Sequence, residues 1–447
     1  FICVSLCSFT LSKLAAGVLD KARNLHHSSN ASSAHLKSGN QAAIIKSTIR
    51  NTKAEKFSKR GGIFLWFVTW RCFSGGKSAE REISVLTGVL ALKTIDPALF
   101  RAVPVYIHSD GDFYTSPEMF SLDVFKEQPL PLHTFSKCFF QSGELLMVPP
   151  KKHRAKSRVK ISVALNCCHG GAGENGGIAA LCELYNIPSA SPSVAACALS
   201  MDKELTKLFL REIGVPVLPY AALERQEYVR RGEAAFDEAK KLGFPLIVKP
   251  ACSGSSIGIA TVYEESALKK AAEEAFLYGE KLIFEPYLEN KADVNCAAYR
   301  KKGEIIVSQP ETAFSGGVYG FKEKYLQDKQ NDGGRAALNA EIAEKIKAYT
   351  REIYRRAETL GVMRADFLVS DDGVFAGEIN AVPGSLAYYL FCERVSDAKN
   401  LFSDLIDDEW NSHAGEDSNV LLMDASAAPV SMGVHTGGKR GFAGVRL

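Results

Sequence analysis

The chain has 447 residues, of which 46% are hydrophobic and 23% charged, as expected of an ordinary globular protein with roughly three domains. Its net charge of +3 is too small to indicate a nucleic-acid partner, and no long block of Lys and Arg adds to it. The eleven cysteines include no CxxC pair, which argues against a zinc site and favours a reduced, cytoplasmic setting. No apolar run reaches the ~18 residues needed to span a bilayer, so no membrane partner is expected.

Residues 1–60 combine a short apolar segment with a polar stretch that is nearly free of acidic residues. We expect a disordered N-terminal extension here, although a signal or transit peptide would have a similar composition. No functional argument depends on this segment.

Residues 61–191 predict an α/β domain with a doubly wound sheet. An apolar strand precedes the Gly-rich loop Ser74–Glu82 and a stretch with helical spacing. The strand Ala102–His108 predicts a second βα unit, and a third strand runs into the Gly-rich sequence HGGAGENGG after a Pro- and Lys-rich excursion over 122–160. A strand that enters a Gly-rich loop and then a helix is typical of doubly wound sheets.

Residues 192–284 and 285–410 predict two further domains, followed by a flexible tail over 411–447. In the first of these domains, Ser191–Lys203 is interpreted as a linker and helix start, ahead of an amphipathic helix. In the second, the long amphipathic helix Glu341–Gly361 leads into two short strands.

A small-residue loop, Gly254–Gly258, begins five residues after Lys249. It lies between two predicted strands, so it is neither a Walker A loop nor a dinucleotide-binding fingerprint. Its backbone N–H groups can still surround phosphates, with the lysine supplying positive charge. Taken alone, the pattern is more typical of an ordinary turn; together with an acidic metal patch it favours phosphate binding.

The run Arg364–Gly384 predicts a β-hairpin that reverses at an Asp-Asp-Gly sequence. Glu378 and Asn380 are two residues apart on a strand and share a face, and closure of the hairpin brings Asp366 level with them. Two carboxylates and an amide oxygen suit Mg²⁺, which prefers oxygen ligands. A solvated face of an edge hairpin is the alternative.

Eight short motifs occur along the chain in this order: HGGAGENG, ALSMDK, LTK, FPLIVKP, GSSIG, EKYL, RADF and GEINAVPG. In this order and approximate spacing, Gly75–Leu390 resembles the D-alanine–D-alanine ligase family of the ATP-grasp superfamily. The resemblance implies an α/β fold, α+β in part, with a doubly wound pre-ATP-grasp domain followed by a two-domain ATP-grasp fold. It also implies a homodimer that ligates two D-alanines with ATP through a D-alanyl phosphate, for peptidoglycan precursor synthesis.

The resemblance further implies roles for individual residues. Contacts with ATP fall on Lys203, Lys249, Glu285, Tyr287, Leu288, Asp293 and Lys324. The ligands of two Mg²⁺ ions, with Mn²⁺ as an alternative, fall on Asp366, Glu378 and Asn380. The resemblance implies that a loop is closed over the first D-alanine by Glu80, Ser255 and Tyr325. It implies that the oxyanion is stabilised by Arg364 and Gly384. Contacts with the D-alanine substrates fall on His169, Tyr389 and Leu390.

Two departures from the family keep other functions open. Cys252 and Ser253 replace a charged pair before the Gly-Ser-Ser turn, which would support a nucleotide-binding protein that has lost catalysis. Tyr389 stands where many members have a serine that holds the second substrate, so another D-amino acid or a D-hydroxy acid is an alternative acceptor. Retention of the adjacent Lys324 and Tyr325 favours an amine acceptor.

Overall fold

The structure, a computed structural model, describes residues 68–150, 155–254, 257–315 and 338–413. Within these ranges the chain is a mixed α/β protein with three β-sheets, which confirms the expected fold class. The extension predicted over residues 1–60 lies outside the described residues. Of the tail predicted to begin at residue 411, the first three residues belong to a helix and the others lie outside the described ranges.

The first sheet contains seven strands and two accompanying α-helices. The strands are β1 (Val68–Gly75), β2 (Phe100–Ile107), β3 (Phe113–Thr115), β4 (Ser136–Gln141), β5 (Glu144–Val148), β6 (Ser157–Lys160) and β7 (Val163–Asn166). The helices are α1 (Arg81–Thr94) and α2 (Gly177–Leu184). The strand order is β6-β5-β4-β3-β2-β1-β7, and β1 pairs in parallel with β2 and β7. The glycine loops after β1 and β7 therefore lie at the same edge of the sheet.

The prediction of a second βα unit after β2 is wrong. The chain reverses near Gly111, which has a φ of +93°, and returns as the antiparallel strand β3. The Pro- and Lys-rich excursion then contributes the antiparallel strands β4 to β6. Ser142 and Gly143, with φ of +46° and +76°, form the turn between β4 and β5, where positive φ matches the twist of a tight hairpin.

The segment predicted as a linker is largely helical, because Ser193 and Asp202 each cap a helix. The Ser193 hydroxyl accepts from Ala196 N, and the Asp202 carboxylate accepts from the backbone N–H groups of the next helix. The remaining helices are α3 (Val194–Met201), α4 (Lys203–Glu212), α5 (Arg225–Arg231), α6 (Asp237–Lys240), α7 (Glu265–Ala275), α8 (Ala340–Arg356) and α9 (Ala398–His413).

The second and third sheets are antiparallel and carry the remaining strands. The second contains β8 (Ala221–Glu224), β9 (Leu246–Pro250), β10 (Ala260–Val262) and β11 (Lys281–Pro286), in the order β10-β9-β11-β8. The third contains β12 (Ala292–Lys301), β13 (Glu304–Val307), β14 (Glu311–Ser315), β15 (Val362–Ser370) and β16 (Gly373–Asn380), in the order β13-β12-β15-β16 with β14 paired to β12. The domain boundaries drawn from the sequence stay a prediction.

Helix α9 joins the first and third sheets. Its buried side chains Leu401, Phe402 and Leu405 share one hydrophobic core with Trp70 of β1 and Ala297 of β12. Because a common apolar core resists separation of the elements that build it, the two sheets are held together by burial. Within the part of the chain that the structure describes, no helix is both long and apolar enough to cross a membrane.

Candidate functional site

The hairpin predicted over Arg364–Gly384 forms as β15 and β16, which confirms this part of the sequence analysis. The two strands are joined by a two-residue turn. Asp366 lies directly opposite Glu378, and Arg364 lies opposite Asn380. A β-bulge follows Asp366, so the chain locally changes its twist beside the two carboxylates. The acidic patch therefore sits at a defined register position in the third sheet.

A cleft between the second and third sheets gathers eight of the ten residues expected to bind nucleotide or metal; of the other two, Asn380 is not part of its lining and Lys324 lies outside the described residues. Its lining includes Lys203, Lys249, Glu285, Tyr287, Leu288, Asp293, Asp366 and Glu378. Leu218, Ile247 and Leu368 add apolar surface. An apolar cleft with a few converging charged groups is the usual form of a small-molecule site. Lys291 also lines the cleft and pairs with Asp293 at 2.5 Å between Nζ and Oδ2.

Glu285 lies between two lysines in the wall of this cleft. Its carboxylate oxygens form ion pairs with Lys207 of α4 and Lys249 of β9, and the Lys207 side chain is fully buried. Burial opposes the charged carboxylate, but the two ammonium groups outweigh it and lower the pKa of Glu285 to about 2. Burial likewise opposes the charged form of Lys249, but Glu285 outweighs it and raises the pKa of that lysine. Lys249 is thus held as a cation beside the cleft.

Glu80, at the start of α1, reaches two glycine loops. A Cβ atom built on Gly170 would lie 2.9 Å from Glu80 Oε2, and one built on Gly254 would lie 2.8 Å from the same oxygen. A side chain at either position would displace the Glu80 carboxylate, so glycine at both positions leaves it room where it lies. Gly254 directly precedes Ser255, which lies outside the described residues, so the trio predicted with Glu80 stays a prediction.

His169 is buried at the end of β7 and uses both ring nitrogens within the protein. Nδ1 lies 2.8 Å from the Val382 carbonyl oxygen, and Nε2 lies 2.8 Å from the Thr87 hydroxyl. Burial lowers the pKa of His169 to about 4, and the nearby Arg364 guanidinium adds to that effect. The imidazole is therefore neutral at physiological pH. Its predicted contact with the first substrate stays a prediction.

The segment Gly384–Leu390 forms a tight turn directly after the hairpin. Ser385, Leu386 and Ala387 have φ of +53°, +52° and +48°, a left-handed conformation that side chains disfavour. Among the described residues, no atom lies within 4 Å of a Cβ built on Gly384, so the space beside its backbone is open. Leu390 is buried in the hydrophobic core, which leaves only its backbone for a substrate contact.

Arg364 connects the hairpin with this turn. Its Nε and Nη2 donate to the two carboxylate oxygens of Asp366 at 2.6 and 2.7 Å, and its Nη1 donates to the Tyr389 hydroxyl at 3.0 Å. Burial opposes the charged guanidinium, but the Asp366 carboxylate outweighs it and raises the pKa of Arg364. A fixed cation therefore stands between the acidic patch and the turn.

The hairpin presents two carboxylates rather than a complete cage for a metal. Among the described residues, no group of three His, Cys, Asp or Glu side chains could hold an ion. Mg²⁺, however, is usually bound through one or two carboxylates together with substrate phosphates. Asp366 and Glu378 meet that requirement, and Lys203 Nζ lies 4.0 Å from Glu378 Oε2. Asn380 points its amide nitrogen at Asp366 Oδ2, 3.0 Å away, so half a turn of the amide would present its oxygen.

Three residues at or near the site were not predicted from the sequence: Lys207, Thr87 and Lys291. Lys207 occurs in the LTK motif, but nothing local indicates that its ammonium group reaches Glu285, 78 residues later. Thr87 lies among the buried residues of α1, where no sequence pattern distinguishes a hydroxyl from a packing residue. Lys324 and Tyr325 lie outside the described residues, so their predicted roles stay predictions.

Comparison with known proteins supports one family across both halves of the chain. A family profile described as the D-ala D-ala ligase N-terminus matches residues 71–192, and one described as the D-ala D-ala ligase C-terminus matches residues 209–408. A D-alanine–D-alanine ligase of Campylobacter jejuni subsp. doylei is 33% identical over 71% of this chain and 87% of its own. One of Helicobacter pylori is 31% identical over 74% of this chain and 92% of its own.

A solved structure extends this similarity to the fold. The crystal structure of a D-alanine–D-alanine ligase from Helicobacter pylori superposes with a TM-score of 0.62 and 29% identity. The superposition covers 77% of this chain and 99% of that one. The similarity of fold therefore extends along nearly the whole length of the solved protein.

Proposed function

Because this chain belongs to the D-alanine–D-alanine ligase family, we propose that it joins two D-alanines at the expense of ATP, for peptidoglycan precursor synthesis. The observation that carries the proposal is the cleft in which Lys203 and Lys249 face the carboxylates of Asp366 and Glu378. Cations for phosphates and carboxylates for a metal meet there, and Arg364 adjoins them.

The first half of the reaction activates a carboxylate. A carboxylate is a poor acyl donor, so ATP phosphorylates the first D-alanine to an acyl phosphate. In this half-reaction Lys203 and Lys249 offset the negative charge of the phosphates as the γ-phosphoryl group moves. Glu285 keeps Lys249 in place and charged. The other residues around the nucleotide are Tyr287, Leu288 and Asp293.

Asp366, Glu378 and Asn380 would hold Mg²⁺ together with the phosphates of ATP. When bound, the metal supplies neutralisation of phosphate charge during transfer. Arg364 already occupies both oxygens of Asp366, so this carboxylate would share its negative charge between the guanidinium and the metal.

The second half of the reaction forms the peptide bond. The amine of the second D-alanine attacks the acyl phosphate, and negative charge develops on the former carbonyl oxygen. Arg364 and the Gly384 N–H would stabilise that charge. The hydrogen bond that fixes the guanidinium on Asp366 and the open space at Gly384 support this assignment. His169, held neutral by burial, adds no positive charge beside the turn. Phosphate then leaves.

Closure of the site would protect the acyl phosphate from water. We assign this role to Glu80, Ser255 and Tyr325, with Lys324 near the transferred phosphate. Glu80 supports the assignment because its carboxylate already reaches Gly254, the residue before Ser255.

A different acceptor is the second candidate function. The observation in its favour is Tyr389, whose hydroxyl accepts a hydrogen bond from Arg364 Nη1 and so places a phenol beside the reacting centre. A bulky side chain there would reshape the pocket of the second substrate. Competition between D-alanine and other D-amino or D-hydroxy acids, at fixed ATP, separates the two candidates by the product formed.

The protein is further proposed to be a cytoplasmic homodimer, as the family resemblance implies. Of the nine cysteines that the structure describes, all are free thiols and seven are buried, which fits a reducing compartment. Sedimentation equilibrium of the purified chain tests the dimer, since a mass near that of one chain would exclude it.

The central test of function is product analysis with the purified chain, ATP, Mg²⁺ and D-alanine. We expect phosphate release that depends on D-alanine, with one dipeptide formed per phosphate. Lys249→Met should abolish phosphate release and dipeptide formation. Lys270 is an exposed lysine of helix α7, and Lys270→Met should change neither of them. A folded sample that yields neither product would refute the proposed function.

A further inference from the structure

Thr87 connects α1 with the turn that carries Gly384. Its side chain is buried, and its hydroxyl oxygen accepts a hydrogen bond from the Ser385 N–H at 3.0 Å. The same oxygen lies 2.8 Å from His169 Nε2. One residue of the first domain thus touches both the turn of the third sheet and the histidine that contacts it.

The direction of each hydrogen bond follows from the chemistry of the groups. The Val382 carbonyl can only accept, so His169 Nδ1 carries the proton and donates to it at 2.8 Å. In a neutral imidazole Nε2 is then an acceptor, so the Thr87 hydroxyl donates its proton to Nε2. The hydroxyl oxygen still accepts from the Ser385 N–H. Every polar group in this chain of hydrogen bonds has a defined partner.

These hydrogen bonds enclose Gly384 from both sides. Val382 lies two residues before it and Ser385 one residue after it, and both are tied to α1 and β7 through Thr87 and His169. The turn needs such support because Ser385 and the two residues after it adopt a left-handed conformation that L side chains disfavour. Backbone in that conformation persists only where the surroundings fix it.

We propose that Thr87 is a positioning residue of the ligase reaction, which holds the Gly384 N–H at the developing oxyanion through its hydrogen bonds to Ser385 and His169. The inference rests on the proposed function. Thr87 itself touches neither the metal site nor the cleft, so it acts through the turn alone.

Thr87→Val tests this inference, because valine keeps the shape and removes both hydrogen bonds. We expect kcat for dipeptide formation to fall by about 10- to 100-fold, while KM for ATP stays unchanged, since a small displacement at the reacting centre has effects of this size. Thr87→Ser keeps the hydroxyl and should stay within about threefold of the wild type. Thr94→Val is the matched control. Thr94 lies on the same helix and donates to the Leu90 carbonyl at 2.7 Å, so its replacement should not alter turnover.

A spectroscopic measurement distinguishes positioning from a general loss of structure. ¹⁵N NMR of imidazole-labelled protein should give His169 as the neutral Nδ1–H tautomer in the wild type and in Thr87→Ser. The opposite tautomer in the wild type would overturn the inference, even if Thr87→Val does not fold. So would an unchanged kcat in folded Thr87→Val when the wild type is active. A wild type that forms no dipeptide refutes the proposed function instead.

Discussion

The nucleotide cleft and the turn at Gly384 are organised by different forces. In the wall of the cleft, buried charges hold one another: Glu285 pairs with Lys207 and Lys249. At the turn, neutral groups hold the backbone: Thr87 and His169 fix it by hydrogen bonds. The difference suits the chemistry that we propose for each region. Phosphates require cations that persist in a dry site, whereas an oxyanion is served by one fixed guanidinium and a well-placed N–H.

The largest effect should follow loss of the Glu285 charge. Glu285→Gln leaves two buried ammonium groups without their counter-ion, and we expect a loss of about 3–5 kcal/mol in the free energy of unfolding by urea. Adding Lys207→Met should recover part of that loss, because it removes one of the repelling charges. Glu274→Gln, in an exposed helical ion pair, is the control and should change little. A Glu285→Gln variant as stable as the control would show that the buried charges are not coupled.

The next largest effect should follow Arg364→Lys, which tests how far formation of the oxyanion depends on the Arg364 guanidinium. Lysine keeps the charge but cannot bind Asp366 through two parallel hydrogen bonds, so the oxyanion would lose a fixed donor. We expect kcat to fall by about 10²–10³-fold. Arg355 forms a similar two-bond pair with Glu352 on the exposed face of α8, and Arg355→Lys should leave kcat unchanged. Equal activity of both variants would exclude Arg364 from the reaction.

The neutral state of His169 predicts a dependence of stability on pH. Burial lowers its pKa from 6.5 to about 4 in the folded protein, so the unfolded chain binds more protons between these values. The contribution of neutral His169 to the free energy of unfolding should therefore be fully present above about pH 6.5, and up to roughly 3 kcal/mol of it should be lost as the pH drops towards 4. The free energy of unfolding of His169→Gln, measured in urea, should lack the part of the pH dependence that His169 causes between pH 6.5 and about 4. An identical pH profile for variant and wild type would place the titration elsewhere.

The smallest effect should come from the Tyr389 hydroxyl. Tyr389→Phe removes one of the three hydrogen bonds of Arg364 but leaves the Asp366 pair intact. We expect a loss of about tenfold in kcat, the scale of one hydrogen bond to a charged group. Tyr388→Phe, its neighbour in the turn, is the control. A change in acceptor preference without a change in kcat would assign Tyr389 to substrate selection alone.

Local sequence patterns predicted the hairpin of β15 and β16, the small-residue loop after Lys249 and the acidic residues on the hairpin. The hairpin was accessible because alternation and a turn sequence lie within about twenty residues. The βα unit after β2 was wrong, since an apolar strand does not reveal whether the chain crosses over or reverses. The dipeptide Ser142-Gly143, in which both residues have a positive φ, is typical of a hairpin turn and indicates the antiparallel strands on either side of it.

Contacts between segments far apart in the sequence were beyond prediction for a physical reason. Lys207, Lys249 and Glu285 come from three different elements, and Thr87 is about 300 residues from Ser385. Such contacts depend on how helices and strands pack together. The periodicity of a single sequence indicates local structure and not this packing. The family resemblance supplied residue roles, but it did not indicate the residues that hold those side chains in place.

Activation of a carboxylate by phosphoryl transfer is the central step of the proposed reaction. D-alanine labelled with ¹⁸O in its carboxylate, turned over with ATP by the wild-type protein, tests it directly by mass spectrometry of the released phosphate. An acyl phosphate intermediate predicts one ¹⁸O atom in each phosphate released, with dipeptide formed in equal amount. Unlabelled phosphate accompanying the dipeptide would contradict the account.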